Sequence, residues 1–79
     1  PVAAGPAAPA TRIRELYDAG RRAHVQAAEV PRAAIAPGMA VDGPAAITED
    51  ETTTIVTAAF SAVGQRDGSL LLVRREAGA

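Results

Sequence analysis

The sequence predicts a mainly β chain: a small barrel or sandwich of five to seven short, mostly antiparallel strands with one short helical turn. Three observations carry that prediction. The runs Thr52–Thr57 and Ser69–Val73 are rich in Thr, Ile, Val and Leu, the composition of a pleated, half-buried surface. Turn signals recur at close intervals: Asp18-Ala19-Gly20, Pro37-Gly38, Asp42-Gly43-Pro44 and Arg66-Asp67-Gly68. Most of the bulky apolar residues lie between Gly38 and Val73, which locates the expected core there.

Taken in order, Pro1–Ala10 contains only Pro, Ala, Gly and Val. It buries too little area to offset the entropy of ordering and is expected to be a linker or a cut end. The absence of a starting Met agrees with a fragment or a processed chain. From Thr11 to Tyr17 two patterns compete. Ile13, Leu16 and Tyr17 fit the i, i+3, i+4 spacing of a helix, while Arg12 and Arg14 flanking Ile13 suit a strand. We take Thr11–Tyr17 and Ala23–Val30 as two antiparallel strands, because the remaining strands need partners. Pro31 is tolerated in a first helical turn, so Arg32–Ile35 is read as one turn, ended by Pro37-Gly38.

Met39–Val41 is a brief strand, Asp42-Gly43-Pro44 a bend, and Ala45–Thr48 extended chain. Glu49-Asp50-Glu51 forms an acidic turn before the Thr52–Thr57 strand. Ala58–Phe60 turns the chain into Ser61–Gln65, and Arg66-Asp67-Gly68 is a hairpin turn, since Gly accepts positive φ. Ser69–Val73 is the closing strand, followed by a polar tail from Arg74. The expected organisation is thus residues 1–10 as linker, 11–76 as a single small β domain and 77–79 as tail.

Seventy-nine residues support one small domain, and its core is lean. Of the 38 apolar residues 20 are alanines, whose burial gains little, so only 18 larger ones remain to build a core. A part of a larger protein, or a small subunit, fits this better than a free-standing enzyme. The net charge of −1 gives no field favouring nucleic acid or an anionic membrane. All eight basic residues are Arg, which with the alanine excess resembles the bias of a high-GC bacterial genome. Without cysteine there is neither a disulfide nor a thiolate metal site. No apolar run approaches the roughly 20 residues of a bilayer-spanning helix, and the N-terminus has no signal-peptide pattern. A cytoplasmic protein is expected.

Candidate chemistry is sparse. His24, the sole histidine, has no Ser or carboxylate at a spacing that suggests catalysis, and is assigned a surface or packing role. Glu49, Asp50 and Glu51 carry hard oxygen donors, but three consecutive carboxylates diverge around a turn and lack the alternation of a calcium loop. They suit a solvated turn that discourages edge pairing. Thr52, Thr53 and Thr54 suit strand propensity and cross-strand bonding; whether they approach an active site in a larger assembly is left open. Asp67-Gly68-Ser69-Leu70 resembles the Asp-Ser-Leu of acyl carrier proteins, but there the serine begins a helix, and here it begins a strand. Biotinyl and lipoyl carriers need a lysine, and this chain has none. No GxxxxGK[ST], GxGxxG or basic-aromatic stripe occurs. No catalytic, cofactor-binding or metal-binding residue is therefore assigned.

One set of residues does carry a resemblance. Arg32, Pro37-Gly38, Gly43-Pro44-Ala45-Ala46-Ile47, the acidic turn Glu49–Glu51, Thr52–Thr54 and Gly68-Ser69-Leu70 occur in that order. From Val30 to Leu72 this wording resembles the C-terminal end of the hydantoinase A / 5-oxoprolinase family. It departs at Thr57–Phe60, where the family often has a Pro-Pro-Gly-aromatic turn, and at Gly64-Gln65, where an aspartate is common. The resemblance implies a parent enzyme that uses ATP and Mg to activate a stable carbonyl compound. Members open cyclic amides such as hydantoins or 5-oxoproline, and related subunits serve in acetone or acetophenone carboxylation. Their actin-like nucleotide-binding parts lie upstream of the matching stretch, so the implied partners are those catalytic domains or a second subunit. The resemblance carries no catalytic residue onto this chain. Two other expectations stay open: a stand-alone β interaction module, and a swivelling domain of the aconitase type.

Overall fold

The β-prone runs and the turn residues between them resolve into seven strands within residues 2–75, the part that the computed structural model describes. These are β1 (Arg12–Asp18), β2 (Ala23–Pro31), β3 (Ala40–Asp42), β4 (Ala45–Thr48), β5 (Thr53–Val56), β6 (Phe60–Gly64) and β7 (Leu70–Arg74). One 3-10 turn, Arg32–Ala34, follows β2 where Pro31 was expected to open a helical turn. The expected tail at 77–79 lies outside the described residues. Strand wins over helix at β1 because its backbone pairs along its whole length with β2, Arg12 opposite Glu29 through Asp18 opposite Ala23.

The strands form two sheets, ordered β1-β2-β4-β5 and β3-β6-β7. The pairing is antiparallel except between β2 and β4. That one parallel pair has a topological cause. After β2 the chain crosses to the other sheet, contributes β3 and returns as β4, and a crossover of this kind brings strands back in the same direction. The two β-rich runs of the sequence therefore end in different sheets, β5 against β4 and β7 against β6. The sheets do not close into a barrel, which removes that half of the expected alternative. The Cα envelope is 35 × 31 × 17 Å, and its thin dimension accommodates two sheets stacked about 10 Å apart.

Both sheets feed one core. Val30, Ala45, Ile47 and Val56 come from the four-stranded sheet, Val41 and Ala62 from the three-stranded one, and Ile35 from the link between them. Met39, Phe60 and Leu70 pack against this cluster from its margins. The core thus reaches back to Val30 and Ile35, upstream of Gly38. Conversely Leu71, Leu72 and Val73, expected to be core, are largely exposed because β7 is an edge strand. Ala45, Ala46 and Ala62 have no accessible surface at all. Ala45 and Ala62 belong to the core cluster between the sheets, where their small side chains fill space.

Gly43 and Gly68 are among the glycines that geometry requires. Gly43 donates its N–H to the Phe60 carbonyl, and a Cβ there would lie 1.8 Å from the Thr57 carbonyl oxygen. The bend before β4 can approach the β5–β6 turn only without a side chain. Gly68 has φ +90° in the β6–β7 turn, the left-handed region that a side chain disfavours.

Residues 2–10 form no named strand, yet their backbone is engaged. Ala8 donates to the Ala40 carbonyl, Ala40 donates to the Pro6 carbonyl, and Gly5 donates to the Gly38 carbonyl. The Val2 N–H and carbonyl both bond the Gln65 side chain. Small side chains bury little, but main-chain groups pair regardless of side-chain size. This segment lines the outer edge of β3.

Candidate interaction surface

The first place where sequence-distant residues converge is around Arg32. Its Nη1 donates to the Ile35 carbonyl at 3.2 Å, and its Nη2 donates to the Gly68 carbonyl and, at 3.5 Å, to that of Ser69. Its Nε lies 3.8 Å from the Glu49 carboxylate. The 3-10 turn, the acidic turn and the β6–β7 hairpin turn are thereby held together by one planar cation. Glu49, Asp50, Glu51 and Thr52 line an open groove with Pro31, Arg32 and Thr48. Among the described residues no three carboxylate or imidazole groups stand together as a metal site. Thr53 pairs with Thr48 and Thr54 with Ile47, so two of the three threonines serve the β4–β5 ladder.

Ser69 is fixed by its own turn. Asp67 accepts from the Ser69 hydroxyl at 2.6 Å and from its N–H at 2.9 Å. The hydroxyl bond first, and the N–H bond with it, hold the Asp67 carboxyl below the usual carboxylate range. Ser69 leads into β7, as the sequence indicates, and not into a helix.

The β1–β2 hairpin carries the second cluster. Glu29 is the one buried charged residue named among those described, and both Arg12 and Arg14 reach its carboxylate. The Arg12 guanidinium bond, joined by the charges of Arg12 and Arg14, lowers the Glu29 carboxyl from its ordinary value despite burial. On the opposite face His24 packs edge-on to Tyr17, ring centroids 5.3 Å apart, with Nδ1 3.6 Å from Glu15. His24 is a surface packing residue, as its isolation in the sequence suggests. Ile13 and Tyr17 share a face with the core residues Val30 and Ile47 but extend beyond the cluster, and each is 59% exposed.

The third feature is β7, which sequence reasoning took for interior. Leu71, Leu72 and Val73 are 39%, 49% and 44% exposed. The register defines which of its backbone groups are free. Gln65 donates to the Ser69 carbonyl and Arg75 to that of Ala59. The alternation of an antiparallel ladder then directs Leu71 and Val73 toward β6 and Leu70, Leu72 and Arg74 outward. No described residue pairs with that outer row. At its end the Arg74 guanidinium lies 5.4 Å over the Phe60 ring.

No helix is long and apolar enough to cross a membrane among the described residues. Comparison with protein-family models, with curated proteins and with solved structures finds no match.

Proposed function

We propose that this chain is a non-catalytic structural and interface domain, the C-terminal domain of a hydantoinase A / 5-oxoprolinase-like enzyme that uses ATP to hydrolyse a cyclic amide. One observation supports this most. Three separated pieces of the resembling pattern touch: Arg32 donates to the carbonyls of Gly68 and Ser69 and neighbours Glu49. Residues that interlock across the fold form a set, which gives the pattern a physical reason to occur together. Gly43, from the same pattern, meets the Thr57 backbone without room for a Cβ.

In this reading ATP and Mg are bound by the upstream catalytic domains, where phosphorylation of an amide oxygen creates a leaving group. The present domain packs on those domains or on a second subunit, in the cytoplasm, with neither nucleic acid nor membrane as partner. The gene sequence upstream of Pro1 tests it. A continuous reading frame carrying actin-like phosphate-binding motifs is expected, and a start codon close upstream overturns it. That second outcome supports a stand-alone β interaction module, the reading favoured by the exposed apolar edge at β7.

A further inference from the structure

We propose that β7 is the docking edge for a second copy of this chain, pairing antiparallel with the partner copy's β7 about a two-fold axis at Leu72. The three described sheet edges without a partner differ in how they resist such pairing. On β1, charged residues occupy Arg12, Arg14, Glu15 and Asp18, and a two-fold pair centred on Glu15 would oppose like charges. The β5 edge is four residues long and follows the acidic turn. β7 resists less: it has no proline, and of its three outward positions, Leu70, Leu72 and Arg74, only the last is charged.

The register makes the match specific. Leu70, Leu72 and Arg74 present their main-chain groups outward, so a two-fold pair places Leu72 opposite Leu72 and Leu70 opposite Arg74. Each of these pairs exchanges two backbone hydrogen bonds. No like charges face each other, because Arg74 meets an apolar residue. Leu71 of each copy falls beside Val73 of the other, so apolar side chains adjoin across the seam on both faces of the sheet. The result is one six-stranded sheet ordered β3-β6-β7 and then its mirror sequence. A single pair of strand edges buries less than the roughly 1,600 Å² of a standard interface, so the dimer forms with rising concentration rather than permanently.

The inference is independent of the parent enzyme, since it concerns the 79-residue chain alone and stands or falls apart from the gene context. Sedimentation equilibrium is expected to show the mass rising from 8.0 kDa toward twice that value with concentration. Over the same range the Leu70, Leu72 and Arg74 amides slow in hydrogen exchange, while those of Leu71 and Val73 are slow throughout. Leu72→Lys sets two ammonium groups opposite each other and is expected to weaken the dimer at least tenfold; Tyr17→Lys leaves it intact. A chain still monomeric at millimolar concentration overturns the proposal. So does a dimer whose three outward amides keep their monomer exchange rates, a readout that needs no variant to fold. Loss of the dimer in Tyr17→Lys but not in Leu72→Lys overturns it too.

Discussion

Arg32 donates from Nη2 to the carbonyl of Gly68, which ties the 3-10 turn after β2 to the hairpin turn between β6 and β7. The two turns belong to different sheets' connections, so this contact couples the sheets at their rim. Its donors are planar and forked, and the acceptors are backbone carbonyls that lose a charged partner if Arg32 is cut back. Arg32→Gln is expected to cost about 1–3 kcal/mol in chemical denaturation. Arg32→Lys should recover only part of that, because one ammonium cannot reach Ile35, Gly68 and Ser69 together. Full recovery by lysine would show that only the charge matters.

Gly43 and Gly68 should separate steric from conformational cost. Gly43→Ala forces a Cβ against the Thr57 carbonyl and the Val56 carbonyl, both backbone, and should cost at least about 2 kcal/mol. Gly68→Ala meets nothing within 4 Å, so only its positive φ is penalised, about 1 kcal/mol. Thermal unfolding of both variants checks the order; equal losses would refute the close approach at Gly43.

Acid should weaken the β1–β2 hairpin through Glu29. Its carboxyl is held low in the folded chain, chiefly by the Arg12 bond, so folding favours the ionised form. That contribution is complete above the ordinary glutamate range and is lost as pH falls through the depressed folded value. Melting temperature should therefore be level near neutrality and fall in acid. Glu29→Gln should lower it at neutral pH and flatten the acid slope, leaving the contribution of Asp67, which has the same sign. An unchanged slope in Glu29→Gln would remove Glu29 from the account.

The core is lean enough that one residue matters. Ile47 is 1% exposed and sits among Val30, Val56 and Ala45. Ile47→Ala should cost about 2–5 kcal/mol. In a domain this small that loss is expected to leave a large unfolded fraction by circular dichroism at room temperature. A cooperative transition close to the parent's would mean the core collapses around the gap.

Much of the architecture was legible because β-branched runs and turn residues alternate on a short period. The hairpin turn at Arg66-Asp67-Gly68 and the bend at Gly43-Pro44 fall where Gly and Pro demand them. The helix-or-strand conflict at β1 was settled by β2, a partner that local spacing does not encode. Likewise the burial of Val63 and the exposure of Leu72 follow from one being in a central strand and the other on an edge. Their side chains are similar, and sheet order decides between them. Residues 2–10 read as a linker or cut end for a related reason, since main-chain pairing leaves no trace in side-chain composition. The Arg12–Glu29–Arg14 cluster needed the register of β1 against β2 before its charges could be matched.

The proposed role is to hold and join without reacting. Phosphate release measured with the 79-residue chain, ATP, Mg and either hydantoin or 5-oxoproline tests it most directly. The account predicts a rate equal to the protein-free blank with both substrates. Release that requires both ATP and the cyclic amide, and scales with the amount of chain, would contradict it.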